Sequence, residues 1–269
     1  MIEFITTPTE EWLNKAVSTC STRLLVSSPY IGGWLPKITS QLSSKVSSHI
    51  LTRTDLRDFA SGASDLESVC ALAESGATVV SSHRLHAKVY VIDERCGLVT
   101  SANATYSGMR RNLECGVIIQ DKASVKQAAS LILKGFGSTE MPQRWSSSEL
   151  RSLQEPVRVL KKALAPMFVA LKTGDRPLPD VSPKGEIADA LMSHLPGWTK
   201  LVLEGVQMQN ETFDIHSFVK ACAPLAAKRY PNNRHVREKL RQGLQRIRDM
   251  GIIEFLGGGV YRWKVGKTK

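Results

Sequence analysis

His86 and Lys88 stand two apart in the run His86-Ala87-Lys88-Val89-Tyr90-Val91-Ile92-Asp93, whose β-branched and aromatic residues read as a strand. Residues two apart on a strand share a face, so the imidazole and the ammonium project together and Tyr90 continues their row. Ser101 and Asn103 arrive, also two apart, from a nearby strand end. Imidazole is a nucleophile near neutral pH, and a cation, a hydroxyl and an amide around it suit a phosphoryl group whose oxygens gather charge. Taken singly these residues are ordinary: a histidine beside a lysine on a strand is more often a rim residue than a nucleophile, and Ser101 serves a local hydrogen bond as well as a phosphate. Their spacing carries more weight than their types.

The elements that must position them alternate. Arg23 to Ser27 is a short buried strand punctuated by Ser28-Pro29 and Gly32-Gly33. Trp34 to Ser44 has helical spacing, and His49 to Arg53 is strand-like. Ser64 to Ser75 places Leu66, Val69, Cys70, Leu72 and Ala73 on one helical face, with Ser64 as the expected N-cap. Ala77 to Val80, His86 to Ile92, Leu98 to Ser101 and Glu114 to Ile119 are β-rich, and Lys122 to Leu133 closes the series as a helix. This order predicts a mixed α/β sheet covered by helices over residues 1–140. Residues 141–197 read as a helical, Pro- and Ser-containing connector in which Pro142, Pro156, Pro166, Pro177, Pro179 and Pro183 interrupt short helices. Residues 198–269 form a smaller third part.

Charge separates these parts. Residues 1–140 carry 14 basic and 13 acidic side chains (+1), residues 141–183 carry 7 and 4 (+3), and residues 184–269 carry 15 and 8 (+7), which sum to the +11 of the whole chain. A basic module joined to a near-neutral one implies that one part grips a polyanion while the other acts on it, although a solvated basic face would give the same count. With 42% hydrophobic and 23% charged residues the composition is that of folded soluble protein, not of a disordered or collagen-like chain. The five cysteines are scattered without a C-x-x-C pair and read as buried thiols, and no metal site or cofactor is expected. No apolar run approaches the roughly 18 residues of a membrane-spanning helix, and the N-terminal stretch lacks the order of a signal peptide, so a cytoplasmic, membrane-free protein is expected.

His86, Lys88, Asp93, Ser101 and Asn103 fall in the register His-x-Lys-(x)4-Asp, then x-Ser-x-Asn, that resembles the signature of the phospholipase D superfamily. Thr100 stands where that family commonly has glycine, and Glu114 stands where it often places a carboxylate that orients the histidine. The resemblance spans about residues 20–135. It implies metal-independent phosphodiester cleavage in which His86 attacks phosphorus, a phosphohistidine forms and water hydrolyses it, while a second histidine protonates the leaving oxygen. Lys88 and Asn103 would stabilise charge, Glu114 would fix the ring of His86, and Asp93 would anchor a turn. The mechanism needs two such motifs and the chain has one, so a homodimer sharing one active site is expected, with both His86 side chains near its axis. Single-motif members are typically nucleases, which argues against a lipid substrate.

In the basic part, Val236, Leu240, Leu244 and Ile247 recur at helical intervals behind Asn232 or Asn233 as the expected N-cap. Arg234, Arg237, Arg241 and Arg248 fall together beside that stripe as an expected exposed ridge, with His235 at its start. Ile252 to Leu256 and Val260 to Lys264, around three glycines, read as a hairpin carrying Arg262. Helices followed by a hairpin describe a winged helix-turn-helix, with Asp214 to Ala227 as the preceding helix. The wording from Tyr230 to Gly257 resembles the C-terminal winged helix of the Dam-replacing family of restriction endonucleases, a resemblance covering about residues 198–264. It implies recognition of double-stranded DNA, and N6-methyladenine in GATC-like sites as the target. Trp198, Tyr261 and Trp263 could read a methyl group or a base, and serve packing more readily.

The fold class that follows is an α/β mixed-sheet phospholipase D-like domain before a smaller winged helix-turn-helix domain. The function that follows is a restriction-type endonuclease on double-stranded DNA. A nonspecific or repair nuclease, and a DNA-binding regulator with an inactive phospholipase D fold, are the alternatives; the intact His86, Lys88, Asn103 and Glu114 argue against the regulator.

Overall fold

The computed structural model describes residues 3–137, 142–173, 191–195 and 197–264. The chain divides into two compact units, Met1–Thr54 with Gly62–Leu150, and Asp55–Ser61 with Arg151–Lys269.

The first unit is built on an eight-stranded mixed sheet in the order β1 (Glu3–Thr6), β7 (Cys115–Ile119), β6 (Cys96–Thr100), β5 (Lys88–Ile92), β2 (Arg23–Ser27), β3 (Ser47–Thr52), β4 (Thr78–Ser81) and β8 (Gln143–Trp145). β2, β3 and β4 run parallel, because helical crossovers containing α2 (Trp34–Thr39) and α4 (Leu66–Glu74) return the chain to the same end of the sheet each time. β5, β6 and β7 are antiparallel neighbours and need only short connections. Asp93 and Glu94, at φ 51° and 53°, make the β5–β6 turn in the left-handed backbone that tight hairpins favour.

Side-chain alternation gives the sheet two apolar faces. Leu25, Leu51, Val89 and Val91 meet Val125, Ala128, Ala129 and Ile132 of α5 (Lys122–Leu133). On the other face Val26, Tyr90 and Leu98 lie in register across β2, β5 and β6, all essentially inaccessible. Burial of each such side chain contributes roughly 1.5–3 kcal/mol.

Several expectations shift. β5 starts at Lys88, so His86 lies just before it on the approach to the strand. β1 and α1 (Thr9–Ser18) precede everything anticipated, and β8 comes from the segment expected to be connector, which extends the first unit to Leu150 instead of 140. The N-cap of α4 is Asp65, whose carboxylate accepts the Ser68 N–H, while Ser64 is turned to the backbone of Ile31.

The second unit gathers α3 (Leu56–Ser61) and α7 (Gln154–Thr173), which pack together, with α6 (Ser147–Arg151) at the division. α7 runs unbroken where the prolines predicted interruption; Pro156 sits in its first turn, where a missing N–H costs nothing. The stretch Pro177–Pro183 lies outside the described residues. Next come α8 (Gly197–Gln207), α9 (Ile215–Arg229) and α10 (Val236–Asp249), mutually packed. β10 (Ile253–Gly257), β11 (Val260–Trp263) and β9 (Thr212–Asp214) form a three-stranded antiparallel sheet in that order. Asp214 caps α9 by accepting the N–H groups of His216 and Ser217. Leu240, Leu244 and Ile247 are fully buried, as their spacing predicts, but the residue before α10 is His235, with no side-chain cap; Asn233 accepts the His235 N–H instead.

Candidate functional site

His86 is exposed and Lys88, at 9% exposure, is buried beneath it. Lys88 Nζ lies 3.2 Å from His86 Nε2. A charged ammonium has only donors, so Nε2 is the acceptor and the neutral ring carries its proton on Nδ1. Burial pushes the Lys88 ammonium below the ordinary lysine range, opposed by the nearby Glu114 carboxylate. Both residues line an open groove of about 500 Å³ with Thr100, Ser101 and Phe136.

Ser101 Oγ donates to Glu114 Oε2 and accepts the Cys115 N–H at 3.1 Å. The other carboxylate oxygen of Glu114 accepts from Asn112 Nδ2 at 3.1 Å. Ser101 and Asn112 thus each engage one oxygen of the Glu114 carboxylate. Asn103 is brought to the same strand end, and its Oδ1 is buried without a hydrogen-bond partner. Gly108 lets the following helical turn close on Asn103, since a Cβ at that position would stand 2.5 Å from the Asn103 carbonyl oxygen.

The expected glycine before Ser101 is replaced by space from the opposite strand. Thr100 pairs with Gly116, where a Cβ would come within 2.9 Å of the Thr100 side chain. Freed of that clash, Thr100 Oγ1 donates to the Cys115 carbonyl and accepts the Ala102 N–H, knitting the turn that presents Ser101. Asn112, Thr7, Gly108 and Gly116 are participants that the motif does not contain. Thr7 Oγ1 both donates to Asn112 O and accepts the Glu114 N–H, tying the carboxylate's backbone to the end of β1.

Asp93 has no part in the groove. Its carboxylate accepts from the backbone N–H groups of Ser21, Thr22 and Arg23 and from the Ser21 and Thr22 hydroxyls. Burial would raise its pKa, but these donors win and hold the carboxyl far below the usual carboxylate range. It fixes the start of β2 to the β5–β6 turn, the anchoring role expected of it.

In the second unit Arg234, His235, Arg237 and Arg241 are exposed at the start and along one side of α10. Arg248 does not join them: it is 6% exposed and ion-paired to the buried Asp249 at 3.0 Å. Arg262 is exposed on the hairpin but pairs with Glu254 across it, which offsets its charge. Tyr261 and Trp263 are buried in the sheet's packing, and Trp198 stacks on Tyr230 with centroids 4.4 Å apart. Among the described residues no helix is long and apolar enough to cross a membrane.

Family comparison divides the chain along similar lines. Residues 17–134 match the model described as "Cardiolipin synthase, PLD-like domain", and residues 195–263 match "Dam-replacing HTH domain". The chain joins a phospholipase D-like domain to a Dam-replacing helix-turn-helix domain. Among solved structures it is similar to NucT from Helicobacter pylori, at 13% identity and a TM-score of 0.45 over 54% of this chain and 99% of that one. Nuc from Salmonella typhimurium, a phospholipase D family member, gives 16% and 0.44 over 54% and 98%. Phosphatidylserine synthase from Haemophilus influenzae gives 17% and 0.47 over 64% and 47%. No match is found among curated protein sequences. The phospholipase D-like domain holds the His86–Glu114 cluster, and the helix-turn-helix domain holds the basic helix α10.

Proposed function

We propose that the protein is a metal-independent, restriction-type endonuclease on double-stranded DNA, with two copies sharing one active site. The observation that carries this is the His86–Lys88 pair, its imidazole exposed above the buried lysine, in a chain with no second His-x-Lys. One copy supplies a nucleophile but no second imidazole at the same motif.

In this reading the phosphate draws the Lys88 ammonium onto its own oxygens, which frees the His86 Nε2 lone pair to attack phosphorus, forming a P–N bond as the P–O bond to the leaving strand breaks. His86 of the second copy gives the leaving oxygen its proton. Water then attacks the phosphohistidine, passing a proton to that second histidine and restoring both. Lys88 Nζ and the Asn103 amide N–H donate to the phosphoryl oxygens. Ser101 and Glu114 set the shape of the strand end and its negative charge beside Lys88.

The Dam-replacing helix-turn-helix match and the exposed Arg234, His235, Arg237 and Arg241 support duplex recognition, with N6-methyladenine in GATC-like sites as the target. The test incubates the protein, in EDTA, with plasmid from adenine-methylating and non-methylating hosts, beside His86→Ala. Discrete fragments from methylated plasmid alone, and none with His86→Ala, are expected. Equal cutting of both plasmids would remove the methyl dependence and leave the nuclease; no cutting of either would sink the nuclease reading. Sedimentation of the free protein as a monomer at all concentrations would break the shared-site arrangement.

A further inference from the structure

The chain between Asn103 and Glu114 does more than connect two site residues. It makes one wide helical turn, Ser107–Arg111, anchored by the buried Gly108 and Met109, and its outward side chains are Tyr106, Arg110 and Arg111. Tyr106 is 53% exposed, with the Arg110 and Arg111 guanidinium carbons 5.5 and 5.8 Å from its ring centroid. Arg110 is braced from below by the largely buried Glu10, at 2.5 Å. Arg111 has no carboxylate partner among the described residues. The unit's near-neutral total charge conceals this local arrangement of one open ring and two cations, which lies in the chain between Asn103 and Glu114.

An exposed aromatic ring pre-positioned by guanidinium groups stacks any nucleobase, since every base has a π-face, and a neighbouring arginine without a carboxylate takes the adjoining phosphate. Bases inside a duplex are stacked on each other and cannot use such a ring. We propose that Tyr106, Arg110 and Arg111 form a stacking platform for a single, unstacked DNA strand beside the scissile phosphate, so that the catalytic unit takes hold of locally opened DNA. This rests on the nuclease reading above and adds a specificity that the signature residues do not supply. Tyr106 offers the stacking face, Arg110 stiffens it, and Arg111 holds the phosphate.

The test measures binding without turnover, by fluorescence anisotropy of full-length His86→Ala in EDTA. The probes are a fluorescein-labelled oligodeoxythymidylate and an abasic strand of equal length. The thymidylate is expected to bind about tenfold tighter than the abasic strand, the size of one base–aromatic stack. Adding Tyr106→Ala erases that preference, Tyr106→Phe keeps it, and Arg111→Ala weakens both probes alike. Absence of any preference in the parent, which needs no folding variant, would overturn the platform. So would an unchanged preference in Tyr106→Ala, or a change only in oligomeric mass, which would make Tyr106 a contact between copies. Failure of plasmid cutting counts against the nuclease reading alone, because the base preference is read without cleavage.

Discussion

The two units of this chain handle charge in opposite ways. Around His86 the polar side chains are few, close and locked by backbone: Lys88 is buried under the ring it touches, and Ser101, Asn112 and Thr7 hold Glu114 by both its oxygens and its N–H. Along α10 the cations are many and exposed, and Arg234, Arg237 and Arg241 extend into solvent. Chemistry on one phosphate demands donors fixed before the substrate arrives, whereas gripping a helical polyanion needs only density of charge and release of counterions. Arg248 breaks the pattern. It has left the ridge for a buried pair, and it belongs by character with the first region.

That contrast can be attacked where the expected effect is largest. Arg248→Ala removes two charge-assisted hydrogen bonds from the buried Asp249 carboxylate and is expected to cost about 3 kcal/mol, seen in urea unfolding, with duplex affinity at fixed folded fraction unchanged. A variant of ordinary stability and weakened DNA binding would return Arg248 to the ridge. Next comes Lys88→Met, expected to lower cleavage by about 10²–10³. Its wild-type ammonium is disfavoured by burial, so folding prefers the neutral form. Stability tied to Lys88 then rises with pH between its lowered folded pKa and the usual lysine value, and is withheld at neutral pH. Lys88→Met is accordingly expected to melt higher than wild type while it cuts worse, and cleavage by wild type is expected to fall with rising pH below the ordinary lysine range. A less stable Lys88→Met would refute the buried-cation account.

Asp93→Asn is expected to cost about 2 kcal/mol at pH 7, by loss of a carboxylate that binds three backbone N–H groups. The folded pKa is depressed, so the stability it confers is present above the unfolded carboxylate value near 3.9 and drains as pH falls toward the folded one. The gap between wild type and Asp93→Asn in denaturant midpoint is expected to narrow from about pH 5 to pH 2; a constant gap would mean a packing role independent of charge. The smallest effects belong to Arg237→Ala and Arg241→Ala. Each is expected to flatten the salt dependence of duplex affinity by about one unit of log–log slope without moving the melting temperature. Unaltered slopes would leave α10 a solvated face.

Sequence periodicity carried most of the framework. Val89 and Val91 against Lys88 and Tyr90, and the intervals among Leu240, Leu244 and Ile247, are local signals of burial, and the elements they predict are present. β1 escaped because four residues cannot show a period, and its partner β7 lies more than a hundred positions away. The polar details of the site escaped for the same reason: Thr7 reaches Asn112 and Glu114 only through that distant pairing. The bonds from Ser101 and Asn112 to Glu114 are likewise absent from the pattern, because they depend on where the folded strand end brings those side chains. Arg248 was misplaced because a helical wheel records rotation and not height. It shares an angle with Arg237 and Arg241, but only the last turn of α10 is covered, where Leu56 N–H meets the Met250 carbonyl and Asp55 closes on Gly251.

The segment Asp55–Ser61 that supplies that cover is drawn from between β3 and α4, inside the sequence of the first unit. Seven residues of one module's text are thus spelled into the other's body, and no single cut in the chain separates the two cleanly. Heating is expected to feel this as cooperativity: the second unit cannot melt without releasing α3, and α3 is joined in the chain to β3 on one side and α4 on the other, both of the first unit. A deletion after Leu150 would leave Leu56 and Phe59 with their apolar faces bare, so the first unit expressed alone would carry a sticky scar where its companion had been.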